Sequence, residues 1–250
     1  SSFSTENVIH MINMFADCES LKTLNLSSFN TENVTDMYGM FKNCVCFKKL
    51  DLSSFSTGNV INMSTMFFRC NNLEQLDLSS FDTINVELMD KMFKECSKLK
   101  YLDLSSFNTG DVAYMSSMFE GCISLESINL SSFVTTKVKT MEAMFKNCKE
   151  LTILNLRNFK TDRLEEMSEI FSGCSKLTIL NLNNFNTAKA KYDSDVFKGC
   201  NALTTVRVGN RFSLELERML KKNIEGVKII QCAALKGIKP RSFTKDYNIN

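Results

Sequence analysis

What the chain lacks narrows its chemistry first. It holds one histidine and one proline, and no stretch approaches the roughly 20 consecutive apolar residues that span a bilayer. No membrane span is expected. Zinc-type ligation gathers cysteines and histidines at short spacings, and a single histidine does not supply such a set. No dense lysine and arginine stripe marks a nucleic-acid binder. The net charge of +2 conceals an asymmetry, about −7 over residues 1–130 and about +9 over 131–250. Much of that basic excess lies in the last forty residues and reads as a solvated polar tail. No signal peptide, lipobox or sorting tail is visible. The chain opens in mid-motif at Ser1-Ser2-Phe3, as a fragment freed of its targeting segment would.

What is present is the composition of a folded protein, 44% hydrophobic and 23% charged, and a repeat. Cys18, Cys44, Cys70, Cys96, Cys122, Cys148, Cys174 and Cys200 follow one another at a constant 26 residues. Phe3 heads a second column that continues at Phe29 and runs to Phe185; threonines from Thr5 to Thr187 and methionines from Met11 to Met167 form two more. The unit reads L-x-x-L-[ND]-L-S-S-F-x-T-x-N-V-x-x-M-x-x-M-F-x-x-C.

Each part of the unit predicts local structure. Leu50-Asp51-Leu52-Ser53 alternates apolar and polar residues, as a strand with one buried face does. Val60 and Met63 mark a second extended or irregular side. Met66, Phe67, Cys70 and Leu73 fall on one face of a short helical turn. Asn43, Gly121, Asn147, Gly173 and Gly199 precede their cysteines and suit a tight turn with left-handed backbone angles. One coil of this size cannot enclose a core, so the coils must stack until each column becomes a ladder. The expected fold is an α/β leucine-rich-repeat solenoid of eight coils over residues 1–208, the first one partial. A parallel sheet lines one side and short helices or turns the other, over about 35–40 Å at ~4.8 Å per strand. Beyond it, 209–250 form a cap and tail. Ser213 suits an N-cap before Leu214–Ile224, Gly226 ends that helix, Val227–Ile230 pair as a last strand, and Pro240 lies in the tail.

The string L-[ND]-L-S-S-F-x-T-x-N-V-x-x-M-x-x-M-F-x-x-C resembles the repeat of BspA-like leucine-rich-repeat surface proteins, in their 26-residue branch of bacterial lipoproteins and wall-anchored proteins. The resemblance covers roughly residues 1–208. It implies an exported or cell-surface protein associated with adhesion to host cells, matrix proteins or other microbes. The sequence departs from the general pattern where Phe29 and its equivalents replace a polar residue, so an aromatic ladder is expected in place of the usual polar one. The last two coils drift as well: Arg157-Asn158 and Asn183-Asn184 replace Ser-Ser, and Asp193 takes a methionine position.

No residue set points to catalysis or a cofactor. The column cysteines sit on an apolar face and read as small buried hydrophobes. Cys46 and Cys232 stand outside the column. His10 lies on a varied outer column with no partner nucleophile. The outward row Asn25, Asp51, Asp77, Asp103 offers oxygen ligands suited to Ca²⁺, but a flat row gives few ligands per ion and reads as a solvated stripe, so no metal is expected. The outward strand residues Tyr101, Asp103, Asn129, Ile153, Asn155, Ile179 and Asn181 combine apolar anchors with polar neighbours in four consecutive coils, the make-up of a partner-binding patch. The expected function is a non-enzymatic module that binds a protein partner through its strand face, at the cell surface or secreted. The alternatives are a stalk displaying another region of a longer protein, and an effector acting inside host cells.

Overall fold

In the computed structural model, which describes residues 4–232, the repeat winds into a solenoid whose successive coils pair in parallel. Phe3 and the tail with Pro240 lie outside the described residues. One side carries short strands: β1 (Lys49–Leu50), β2 (Gln75–Leu76), β3 (Tyr101–Asp103), β4 (Ser127–Asn129), β5 (Ile153–Asn155), β6 (Ile179–Leu182) and β7 (Thr205–Val208). Helix α1 (Leu214–Asn223) and strand β8 (Lys228–Gln231) follow. The strand side is not one sheet. It divides into β1-β2, β3-β4 and β5-β6-β7-β8, every pair parallel. The unbroken ladder runs on another side, where single bridges link His10, Asp36, Asn62, Leu88, Tyr114, Thr140, Glu166 and Lys191 in turn.

The strands are short because the motif ends them. In Leu-Asp-Leu-Ser, the aspartate side chain turns back and accepts the N–H two residues on, as Asp51 does from Ser53 at 3.0 Å. Phe55 N then donates to Leu52 O at 3.0 Å, closing a turn that aims the phenylalanine inward. The second serine of the pair reaches the previous coil: Ser54 Oγ donates to Leu26 O, and Ser106 Oγ to Leu78 O, both at 3.1 Å. Asn158, which replaces that serine, donates to Leu130 O at 3.0 Å, so the substitution keeps the link.

Threonine provides a stronger staple. Thr109, fully buried, donates to Val134 O at 2.9 Å and accepts from Val134 N at 2.8 Å in the next coil. Thr31, Thr57 and Thr83 make the same pair of bonds. The aromatic ladder expected at Phe29 and its equivalents is present, with Phe159 and Phe185 stacked at 6.2 Å, but it does not displace the polar links. The more continuous stack is the other phenylalanine of the motif, from Phe15 to Phe197, with adjacent ring centroids 5.5–6.1 Å apart. Such pairs add about 0.5–1.5 kcal/mol each beyond burial.

The side opposite the strands is built of linked turns, not the helical turn expected over Met66, Phe67, Cys70 and Leu73. Within a coil, Met66 N donates to Met63 O and Phe68 N to Thr65 O; alternate amides leave the coil, with Thr65 N on Asp90 O at 2.9 Å and Arg69 N on Lys94 O at 2.8 Å. A helix would spend those amides internally. Thr65 (φ 58°) and Arg69 (φ 59°) sit in the left-handed region that helices exclude. The tight turn expected before each cysteine is there too, with Asn43 at φ 57° and Gly173 at φ 76°.

In the last coil the bridge falls on Lys191, one residue short of the 26-residue register. The slip leaves Asp193 exposed and turns Tyr192 against the core in place of a methionine. Tyr192 also meets the cap, its hydroxyl 3.1 Å from Ser213 Oγ and donating to Glu215 at 3.1 Å. A β-carbon at Gly209 would overlap the Asn183 carbonyl oxygen, so glycine permits the close approach where the chain enters the cap. Ser213 caps α1 by accepting Leu216 N, acids occupy its first turn and lysines its last, and Leu216, Leu220 and Ile224 are buried. Gly226 (φ 72°) then turns the chain into β8, which pairs with β7.

Candidate functional site

On the strand side the leucines point in and the residues between them point out. Tyr101 (55% exposed) and Ile153 (44%) project furthest, and Ile179 is half-buried. Tyr101 and Asp103 lie opposite Ser127 and Asn129 on β3-β4; Ile153 and Asn155 lie opposite Ile179 and Asn181 on β5-β6. The structure thus gathers the seven expected residues into two groups, with no strand pairing across the seam between β4 and β5 among the described residues. The Tyr101 hydroxyl donates to Glu126 at 2.8 Å, and Lys100 stands 3.3 Å from the same carboxylate. That hydroxyl bond lowers the Glu126 pKa and raises that of Tyr101.

The Asp/Asn row has local duties that its outward direction conceals. Asp103, Asn129, Asn155 and Asn181 each accept the backbone N–H two residues ahead. Asp51 and Asp77 do the same, and their bonds from Ser53 and Ser79 hold both carboxyls below the usual aspartate range. Among the described residues no three Cys, His, Asp or Glu side chains converge as metal ligands.

The pattern of the repeat does not show every concavity of the face. A groove of about 920 Å³ opens on the strand side of the first three coils, lined by Leu24, Leu50, Lys22, Lys48, Gln75 and Cys46 among others. At its first-coil end the segment around Leu24 makes no backbone hydrogen bond to β1, whereas β1 and β2 pair. The motif is the same in all these coils, so only packing reveals the gap. The sole signal in the sequence is Cys46, whose off-column thiol falls on the groove wall and is half-buried.

The column cysteines are free thiols, and from Cys44 to Cys200 they are buried. They do more than fill space. Each donates its S–H to a phenylalanine carbonyl in the previous coil, as Cys96 does to Phe67 O at 3.2 Å and Cys122 to Phe93 O at 3.1 Å. Burial pushes Cys44, Cys122 and Cys200 up to about 12, and Cys96, Cys148 and Cys174 well above the ordinary thiol value. Cys18 departs from the expected burial: it is half-buried, because no coil among the described residues packs in front of it. His10 is exposed at the first rung of the bridge ladder.

Comparison with known proteins gives a family and little else. A family model described as "Mycoplasma protein of unknown function, DUF285" matches residues 1–76, 65–154 and 123–207. No curated protein matches the sequence. Among solved structures, a chain of "Crystal structure of TLR13-ssRNA13 complex" aligns at 13% identity and a TM-score of 0.23. That alignment covers 89% of this chain and 49% of the other, so this chain spans about half of its length.

Proposed function

The chain belongs to the DUF285 family, and from that premise we propose that it is a non-enzymatic binding module holding a protein partner against its strand face. The observation that carries this reading is how the repeated positions are used. The recurring Leu, Phe, Thr, Val, Met and Cys are consumed by core and coil-to-coil links. The strand-face row Lys49, Gln75, Tyr101, Ser127, Ile153 and Ile179 keeps out of the core, with Tyr101 bonded to Glu126 of the next coil, and differs from coil to coil. A preorganised scaffold with a varied face lowers the ordering cost of association. The resemblance of the repeat to BspA-like surface proteins supports a site of action outside the cell, at the surface or secreted, with adhesion to a host-surface or matrix protein as the role.

The test is binding of the purified protein to immobilised matrix and host-surface proteins. Tyr101→Ala with Ile153→Ser removes two exposed anchors and should weaken binding roughly thirtyfold, for ~2 kcal/mol, with melting nearly unchanged. Lys98→Ala with Lys176→Ala alters exposed positions after the cysteines, including the surface pair of Lys176 with Glu150, and should bind normally. Loss of binding in the lysine pair alone would place the partner on the turn side.

A further inference from the structure

A second exposed face carries a pattern the binding reading does not use. After each threonine a buried valine, such as Val60, Val86 or Val112, is flanked by two outward residues. Backbone bonds tie the later of these positions into one row: Ile61 N donates to Thr35 O, Glu87 N to Ile61 O, Ala113 N to Glu87 O, and Lys139 N to Ala113 O, all at 2.8–2.9 Å. The rungs of this edge run from the residue before each threonine to the fourth after it. Each rung folds over a turn, as where Val112 N donates to Thr109 O at 3.2 Å, and the eight rungs span about 34 Å at ~4.8 Å per coil.

The charge of the edge reverses along its length. Glu32, Asp82 and Glu87 are exposed on the second and fourth rungs; Lys137 and Lys139 are exposed on the sixth and Lys189 and Lys191 on the eighth, while on the seventh Asp162 and Glu165 offset Lys160 and Arg163. Between them the fifth rung, residues 108–113, carries the small residues Gly110 and Ala113 and the exposed Asp111, which pairs with Lys137 of the sixth rung. Ile84 (45% exposed) and Val134 (43%) stand on the rungs either side of it. Among the described residues, none of Glu32, Glu87, Lys139 and Lys189 makes an ion pair within the chain.

We propose that this edge is a two-fold interface with a second copy of the chain, centred on the fifth rung. A two-fold axis there sets rung four of one copy opposite rung six of the other, and rung two opposite rung eight. Glu87 then meets Lys139 at the same place on the rung, Glu32 meets Lys189, and Ile84 and Val134 lie near the centre. These positions are self-complementary in charge and in apolar content, as an isologous interface requires. The edge is narrow and its matched contacts are mostly charge pairs, so the dimer is weak and sensitive to salt. The edge is separate from the strand face, so this proposal and the binding reading stand or fall independently.

Sedimentation velocity over a range of protein concentrations, at about 50 mM and about 500 mM salt, tests it. The wild-type chain should form dimers at low salt and lose them at high salt. Glu32→Lys with Glu87→Lys makes the four opposed positions 32, 87, 139 and 189 all basic, and Lys139→Glu with Lys189→Glu makes them all acidic. Each should be folded by circular dichroism and monomeric alone, with dimerisation weakened at least tenfold. An equimolar mixture of the two should restore a dimer, since each opposed pair again has opposite signs. A wild-type monomer at every concentration overturns the proposal. So does a dimer that survives high salt and both charge reversals, which would place contact at an end of the solenoid. A mixture no more associated than its components also overturns it.

Discussion

Replacing Thr109 by valine tests whether polar staples hold the coils together. The two side chains are nearly isosteric, so the change leaves the packing volume almost intact and removes only the hydroxyl. Thr109 is fully buried, and that hydroxyl serves both Val134 O at 2.9 Å and Val134 N at 2.8 Å. The net loss is about 1 kcal/mol for the bond to Val134 O. The Val134 N–H is left without its acceptor, at about 1–3 kcal/mol. Together these give a destabilisation of about 2–4 kcal/mol. Thr109→Ser keeps the hydroxyl and loses a methyl group, for about 1 kcal/mol. Urea denaturation followed by circular dichroism should therefore rank wild type above Ser, and Ser well above Val. If valine matches or exceeds wild type, the column is held by packing alone and the staple has no energetic role.

Thiol titration of the native protein should find Cys18, Cys46 and Cys232 reactive among the described cysteines and the ladder from Cys44 to Cys200 protected until denaturant is added; rapid reaction of the ladder would contradict its burial. Asp77→Asn should leave stability at neutral pH nearly unchanged, because asparagine fills the same place at Asn129 with the same bond to a serine N–H. The folded Asp77 pKa is lowered by Ser79, so its contribution is present above the unfolded value and fades as pH falls through the folded one. The asparagine variant should lack that part of the acid destabilisation, and an unchanged acid limb would show that the Ser79 bonds do not matter.

Much of the fold is legible in the sequence because one period governs every column. The cysteine spacing alone determines the register, and the Leu-x-Leu alternation locates the strands. Ser213 and Gly226 mark the ends of the capping helix. The turn side is less legible for a physical reason. Residues at i, i+4 and i+7 share a face in a helix, but linked turns place Met66, Cys70 and Leu73 inward just as well. The feature that decides between them, left-handed backbone at Thr65 and Arg69, is stabilised by the neighbouring coil and is not a preference of threonine or arginine. Cysteine reads as a small hydrophobe, and its donation to a phenylalanine carbonyl becomes visible only when coils are stacked. On the strand face the exposure of Tyr101 and Ile153 follows from alternation. The seam between β4 and β5 and the groove at Leu24 and Leu50 do not, since both lie where identical motifs fail to pair.

The most direct test of the binding account is site-specific photo-crosslinking to a matrix or host-surface protein that binds the wild-type chain. A photoreactive amino acid at position 75, 127 or 153 puts the probe on the strand face; at position 98, 124 or 176 it follows the ladder cysteines. The account predicts crosslinks to the bound protein from the first set and none from the second. Crosslinks from the second set alone would contradict it and assign recognition to the turns.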